Sequence, residues 1–341
     1  MGSPLRLNMP VIPPTDLLAC EGHPSLLDRL AIATPRGQLK AMFGLGAELY
    51  VAPYDRKQLR LDMLDVQEDY YLRFKDHIDR YLVDDVSGDG KILKLTGNPI
   101  PEVRNLIGDW PSDQGYQSVL FKRYVHPDFP RNGGTVTPWV GSFLVSSARN
   151  NRFSHYASYL PVSNGQGGLH FDTLRECVLA WATRLKPAHG QAGFSVILEV
   201  GSISGQPYTY ATLQRHPGLD IHAPVPFVME TKGIFNRIKC VNWLTVLGEP
   251  ILEELGGIEA ARRALEPDCT LYPYPGGLLI QAGPLPQLGD THRGLIPERY
   301  RKVAQFTRTV RFEAYSQSGL FGVFKPLEER DEVLKWITRF D

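Results

Sequence analysis

The residues best suited to chemistry in this sequence are His170 and Asp172, which form an H-x-D pair. In a strand, two residues at this spacing point to the same side, where they could bind a metal ion or relay a proton. Asp172 also has a structural interpretation, because it is placed to cap the helix that the following residues predict. Together with His155, the pair defines a region around which an enzymatic alternative can be built.

The motifs of nucleotide-binding and nucleophilic enzymes are missing from the sequence. No G-x-x-x-x-G-K-[ST] string occurs, and NGQGG (164–168) lacks the third glycine of a dinucleotide fingerprint. GSISG (201–205) has Ile203 where a nucleophile elbow needs serine. The histidines form no H-x-x-x-H pair and the four cysteines no C-x-x-C pair, so we expect buried, reduced thiols. The sequence therefore predicts no catalytic residue, no cofactor and no metal site.

Charge and composition narrow the class of protein. The 341 residues contain 37 Lys and Arg against 37 Asp and Glu, whereas a nucleic-acid-binding protein normally has a basic excess. A hydrophobic content of 43% suits a globular core, yet no apolar run approaches the roughly 18 residues that a bilayer span needs. Prolines interrupt the first apolar stretch, so no secretory signal is visible. We expect a cytoplasmic protein, monomeric when free, without direct contact with nucleic acid or membrane.

Hydrophobic periodicity predicts strands and helices that intermingle without strict alternation, which favours an α+β fold. We predict strands at 45–51, 59–66, 116–126, 139–147, 193–200, 241–247, 278–282 and 310–315, with 149–159 continuing the sheet. The predicted helices are 67–82, 172–185, 208–215, 250–255, 258–265, 297–307 and 328–339. The architecture is a mixed, largely antiparallel sheet with helices packed on it. It forms one compact unit (17–341), which could comprise two interlocked halves meeting near 130–165, after a flexible lead-in (1–16).

Tryptophans mark both the expected core and possible anchors for a partner. Trp181 and Trp243 lie inside predicted buried elements and are expected in the core. Trp110, Trp139 and Trp336 lie near the ends of elements, where an aromatic side chain could anchor a partner protein.

An acidic stretch follows the first predicted strands. Between Asp62 and Asp89, nine carboxylates stand against three basic residues. One interpretation is a solvated helix face followed by a turn, and the other is an acidic surface shaped for a basic partner. On the second interpretation the candidate contacts are Asp62, Asp65, Glu68, Asp69, Asp84, Asp85 and Asp89.

A second candidate surface is the string PLPQLGDTHRG (284–294), hereafter the 284–294 loop. It is polar, rich in turn residues and bracketed by proline and glycine. Such a loop could be a rigid recognition surface or a long connection that packs on the sheet. Its candidate contact residues are Gln287, Asp290, His292 and Arg293.

Several strings together resemble a known family. They are GLHFD (168–172), KPAHGQAGFSV (186–196), RHPGLDI (215–221), VNWLTVLGEPILEELGG (241–257) and GGLLIQAGPLPQLGDTHRG (276–294), followed by PERYRKVAQFTRTVRF. In this order, over roughly residues 115–315, the sequence resembles the TsiV-type family of type VI secretion immunity proteins. The first hundred residues match only loosely.

The resemblance implies a non-enzymatic antitoxin that binds and neutralises an effector carrying a nuclease domain, a DNase of the restriction-endonuclease-like sort. The acidic surface could speed encounter with a DNA-binding toxin and imitate phosphates. Alternatively, the 284–294 loop could plug the toxin's cleft, with Asp290 approaching a catalytic metal or lysine. Two other functions stay open: an enzyme around His155, His170 and Asp172, and a structural or adaptor protein of the secretion apparatus.

Overall fold

The computed structural model describes residues 17–34, 38–84, 90–110, 117–123, 136–199, 205–222, 224–315 and 329–341; the predicted lead-in at 1–16 lies outside these ranges. The α-helices in the described ranges are α1 (Arg56–Phe74), α2 (Ile100–Gly108), α3 (Phe171–Leu185), α4 (Gln206–Arg215), α5 (Pro224–Glu230), α6 (Glu249–Glu254), α7 (Gly257–Leu265), α8 (Glu298–Thr307) and α9 (Glu329–Ile337). The strands are β1 (Ala31–Ala33), β2 (Leu39–Val51), β3 (Arg80–Asp84), β4 (Leu93–Lys94), β5 (Gln117–Lys122), β6 (Val140–Val145), β7 (Ser154–Leu160), β8 (His189–Ile197), β9 (Asp220–Ile221), β10 (Leu244–Gly248), β11 (Thr270–Tyr274) and β12 (Gly277–Gln281).

The described strands form one twelve-stranded sheet in the order β11-β12-β10-β8-β2-β7-β6-β5-β3-β4. In addition, β1 pairs with β2 and β9 with β8. The pairings are antiparallel except for that of β8 with β9, which is parallel. The predicted α+β class with a largely antiparallel sheet is confirmed.

Two long helices cover one face of this sheet. α1 crosses β6 at Gly141, where a Cβ atom would lie 2.6 Å from Cδ1 of Tyr70. Gln67 of α1 donates a hydrogen bond to the Gly141 carbonyl at 2.9 Å. Beside it, the Trp181 ring of α3 packs against Tyr156 of β7 with 5.1 Å between centroids. Gly141 therefore allows α1 to approach β6 closely. α3 lies beside α1 and covers β7.

The tryptophans and cysteines define the core. Trp181 and Trp243 are 1% and 0% exposed, as predicted. Trp336 is also 1% exposed, so it is a core residue and not a surface anchor, while Trp110 and Trp139 pack partly buried against the core. The four cysteines are free and buried, which confirms the prediction. Within the described ranges, no helix combines the length and apolar character that crossing a bilayer requires.

The structure corrects two predictions near the start of the chain. Residues 59–66 lie inside α1 and not in a strand. The buried residues of α1 recur at helical spacing, but they include Arg60 and Gln67, whereas Leu72 is exposed, so the hydrophobic pattern does not follow the buried face. The predicted helix at 67–82 was too long: α1 ends at Phe74, and Arg80–Asp84 forms β3 because it pairs with β5. Pairing across the sheet overrides the local helical spacing.

Two further corrections concern the second half. At 310–315 the structure has no long strand, since Arg311 forms only an isolated bridge with Ile238 after a 3-10 turn. Strand β11 was not predicted, and it contains Pro273. As the edge strand beside β12, it tolerates a proline that a central strand would not.

The opposite face of the central strands is polar and buried. Glu48 of β2 lies opposite Gln191 of β8, and its Oε2 accepts hydrogen bonds from Gln191 Nε2 at 2.8 Å and Tyr50 at 2.9 Å. Lys239 Nζ donates to the same oxygen at 2.8 Å, and also to the Ile221 carbonyl. Both Glu48 and Lys239 have 0% of their side chains exposed. The sheet is thus tied to its covering segment by a desolvated ion pair.

The charge of Lys239 is kept by its neighbours. Burial alone would lower the pKa of Lys239, but the carboxylates of Glu48 and Asp220 raise it above its ordinary value. Lys239 is therefore protonated at neutral pH and donates to Glu48 as a cation.

Three histidines, His155, His189 and His222, surround this pair. Burial lowers the pKa of His189, which is 0% exposed, to about 3. Burial also lowers the pKa values of His155 and His222, with Lys239 adding to the shift in both. These imidazoles are neutral in the folded protein mainly because burial disfavours their charged form, and secondarily because Lys239 is close.

Replacing Lys239 with methionine should destabilise the fold by ~3–5 kcal/mol, because the Glu48 carboxylate would be left buried without its counter-ion. Urea unfolding at pH 7 measures the change. The double substitution Glu48→Gln, Lys239→Met should be more stable than Lys239→Met alone. Lys232→Met, at an exposed position, is the matched control and should change stability by less than ~0.5 kcal/mol. Equal stability of Lys239→Met and the unchanged protein would contradict this role of the ion pair.

Stability should also depend on pH in the acid range. The three histidines have folded pKa values below the ordinary 6.5, so the unfolded chain binds more protons as the pH falls. Their contribution is complete above about pH 6.5 and is lost on acidification, by up to ~1.4 kcal/mol per pH unit for each histidine. Asp28 acts oppositely, because burial raises its pKa to about 6.

Unfolding free energies measured from pH 7.5 to 4.5 should therefore fall, with a smaller slope for His189→Gln. Exposed His23 provides the control substitution, His23→Gln, which should leave the slope as it is. A profile that stays flat, or the same slope in His189→Gln, would contradict the account.

Candidate protein-binding surface

The acidic stretch lies partly on α1, where its carboxylates bind arginines of neighbouring helices. Arg104 of α2 donates to Asp65 at 2.7 Å and to Glu68 at 2.6 Å. Arg184 of α3 lies 2.8 Å from Asp62 and also binds Asp65. Because two of its carboxylates share Arg104 and two share Arg184, this face clamps α1 to α2 and α3.

The remaining acidic candidates are Asp69, which lies on α1, and Asp84, Asp85 and Asp89, which follow it in the chain. Asp69 accepts hydrogen bonds from Arg73 and from the indole of Trp181, both at 2.8 Å. Asp84, at the end of β3, accepts from the Gly90 amide at 3.3 Å. Asp85 and Asp89 lie outside the described residues. The described α1 carboxylates therefore present much less net negative charge than their number suggests.

The 284–294 loop is held by hydrogen bonds to its backbone. Glu21 Oε1 accepts from the amides of Leu288 and Gly289, at 2.7 and 3.0 Å. The Gly218 amide donates to the Leu288 carbonyl at 2.8 Å. A side chain at Gly218 could not be accommodated, since its Cβ would lie 1.7 Å from the Gln287 carbonyl oxygen. The middle of the loop is thus fixed against two segments distant in sequence.

Both ends of the loop are anchored as well. Trp243 Nε1 donates to the Gly283 carbonyl at 2.9 Å, just before the loop begins. The Tyr300 hydroxyl of α8 accepts from the Gln287 amide at 3.1 Å. At the far end, Asp290 and Leu295 exchange two backbone hydrogen bonds, of 2.7 and 2.9 Å. A loop so constrained keeps its shape before a partner arrives.

Asp290 is buried and stabilises the conformation of the loop. Its carboxylate is 0% exposed, and Arg215 donates to both oxygens at 2.7–3.1 Å. It also accepts from the His292 amide at 3.0 Å. The Arg215 hydrogen bonds hold the pKa of Asp290 at about 2. The structure places this residue as the support of the turn that carries His292 and Arg293.

The side chains of the loop point outward to different degrees. Gln287, His292 and Arg293 are exposed, and so are two apolar side chains, Leu285 (53%) in the loop and Leu295 (49%) directly after it. Of the four predicted contacts in the loop, the structure brings three to the surface and buries Asp290. A rigid backbone that exposes leucines beside polar side chains is suited to binding another protein.

The residues of the enzymatic alternative are not brought together. His170 precedes α3, with Nδ1 3.0 Å from the Pro161 carbonyl, whereas His155 lies in the polar layer at the other end of β7. Asp172 was predicted as the helix cap, but His170 occupies that position and Asp172 binds Arg175 in the first turn. The observed cap lies two residues before the predicted one, because α3 already begins at Phe171. Among the described residues, no cluster of three or more His, Cys, Asp or Glu could hold a metal ion.

Sequence reasoning missed the residues that shape the loop, namely Glu21, Arg215, Gly218, Trp243 and Tyr300. Their contacts span up to 267 positions. The available signal was the string RHPGLDI, which contains Arg215 and Gly218 but gives no indication of what they touch.

Comparison with known proteins identifies a matching family and a similar solved structure. A family model named TsiV, described as type VI immunity for VRR-NUC, matches residues 157–340, more than half of the chain. Among solved structures, the Pseudomonas aeruginosa T6SS protein PA0821 is similar, with a TM-score of 0.76 and 21% identity over 95% of this chain and 90% of that chain. At this identity the likeness shows the fold alone. None of the curated proteins compared with the chain matches it.

The region matched by the family model includes the 284–294 loop and its anchors Arg215, Trp243 and Tyr300. The sequence-based family prediction is thereby confirmed, and the chain belongs to the TsiV family of type VI immunity proteins.

Proposed function

We propose that this protein is a non-enzymatic immunity protein that binds a nuclease effector of the VRR-NUC type and neutralises it. Family membership supports the immunity role, and the nuclease partner follows from the description of the family. The observation that carries the binding role is the 284–294 loop, whose backbone is fixed by hydrogen bonds to remote segments while Gln287, His292 and Arg293 are exposed.

The loop is the proposed site of specific contact. Neutralising a toxin requires slow dissociation, which depends on well-packed contacts at the centre of an interface. A preorganised loop lowers the entropy cost of binding, because little of its backbone remains to be ordered. Leu285 and Leu295 supply apolar area, and Gln287, His292 and Arg293 supply polar contacts.

The acidic residues have a different proposed role, in the rate of encounter. A nuclease binds DNA through a positively charged surface, towards which negative charge steers a partner. The α1 carboxylates are already paired with arginines, so Asp84, Asp85 and Asp89 are the better candidates for this role. Loop and acidic surface therefore affect different rate constants.

Alanine substitution of Gln287, His292 and Arg293 together should weaken binding to the VRR-NUC effector domain by tenfold or more, through faster dissociation. Surface plasmon resonance measures the rates, and survival on co-expression measures protection. Thermal unfolding should stay close to that of the unchanged protein, because these side chains are exposed. Exposed Arg262 supplies the control, Arg262→Ala, which should bind normally. Full affinity in the triple variant would exclude the loop as the contact.

Charge reversal of Asp84, Asp85 and Asp89 to lysine should slow association by about tenfold and flatten its dependence on salt, with little change in dissociation. Reversal at Asp62 or Asp65 is less informative, because it would also break the ion pairs with Arg104 and Arg184. If neither the association rate nor its salt dependence changes, the acidic surface does not steer the encounter.

A further inference from the structure

A cleft of about 450 Å³ opens beside the 284–294 loop, at the start of α8. It is lined by loop residues and by α8, together with Glu21 and Asp268. Leu295, 49% exposed, and Ile296 give it an apolar wall. Its size lies within the range of ~300–1,000 Å³ that is typical of binding pockets.

The charged groups in this cleft are matched within the protein, with one exception. Asp268 pairs with Lys302, and Glu298 lies 3.6 Å from Arg301. Glu21 accepts from the amides of Leu288 and Gly289. Arg299 also lines the cleft, and its Nε is buried without a hydrogen-bond partner in the described structure. Among the described residues its guanidinium group forms no ion pair, although, beside the hydrogen bond from Lys302, its charge helps to lower the pKa of Asp268.

Arg299 is positioned by packing. Its side chain lies over Gly283, where a Cβ would come within 2.8 Å of Arg299 Cδ and 3.2 Å of Nη1. Gly283 has a φ of 92°, which suits glycine and brings the backbone close beneath the arginine. Packing therefore holds the guanidinium at the cleft, while its buried Nε has no acceptor among the described residues.

The geometry points to this cleft as the socket for a carboxylate side chain of the effector, seated on Arg299 beside the apolar wall formed by Leu295 and Ile296. The inference rests on the proposed function and adds to it the chemistry of the contact. An arginine with unused donors at a partly desolvated site favours a planar carboxylate, which can accept two parallel hydrogen bonds. A partner contact that supplied only positive charge would face Arg299 and Lys302 together.

The test is calorimetric titration of the effector domain into the full chain and its variants. Arg299→Gln should weaken binding by about tenfold or more, because a charge-assisted hydrogen bond is lost. The affinity of Arg299→Lys should lie between those of Arg299→Gln and the unchanged protein, since lysine keeps the charge but lacks the planar guanidinium group. Arg263→Gln, at an exposed arginine of α7, is the control and should bind like the unchanged protein. Unaltered thermal unfolding of Arg299→Gln confirms that any loss reflects contact.

A second measurement identifies the occupant. Acidic residues of the effector are replaced one at a time by the corresponding amides, and each variant is titrated against both the unchanged protein and Arg299→Gln. One effector carboxylate should weaken binding to the unchanged protein but not to Arg299→Gln. Normal binding by Arg299→Gln, or the absence of any coupled carboxylate, would overturn the socket while leaving the immunity role intact. Failure of the unchanged protein to bind would overturn both.

Discussion

The buried ion pair between Glu48 and Lys239 is the constraint on which the arrangement of the chain depends. It joins the central strand of the sheet to the segment that covers its polar face, at 2.8 Å and with both side chains fully buried. Such a pair contributes less to net stability than to the specification of one arrangement, because any alternative packing leaves a charge unpaired. That segment runs on through Trp243, which anchors the start of the 284–294 loop.

The loop shows how a rigid surface is built from remote parts of the chain. Its amides, carbonyls and one carboxylate are bonded to Glu21, Arg215, Gly218 and Tyr300. These partners come from the first described turn, from α4, from the turn after it and from α8. The exposed side chains therefore project from a backbone whose geometry the core determines, which is what tight and selective binding requires.

The sequence predicted those elements whose local pattern agrees with their surroundings. The stripe of Leu174, Val178, Trp181 and Leu185 marks α3 because the helix buries one face. By contrast, α1 buries Arg60 and Gln67 and exposes Leu72, so its hydrophobic pattern does not mark its buried face, and the alternation at its start imitates a strand. The loop was recognisable as a candidate surface from its composition. The contacts that fix its backbone could not be predicted. Arg215 and Asp290, for example, are 75 positions apart, and no local sequence pattern indicates that they bind each other.

The most direct test of the account is side-chain footprinting by hydroxyl radicals, with and without the effector domain. Amide exchange would be less sensitive, because much of the loop backbone is already hydrogen-bonded. The account predicts protection of Leu285, His292 and Leu295 on binding, with little change at exposed Tyr54 and Leu72 beside the acidic residues of α1. Protection at Tyr54 and Leu72 with an unchanged loop would contradict it.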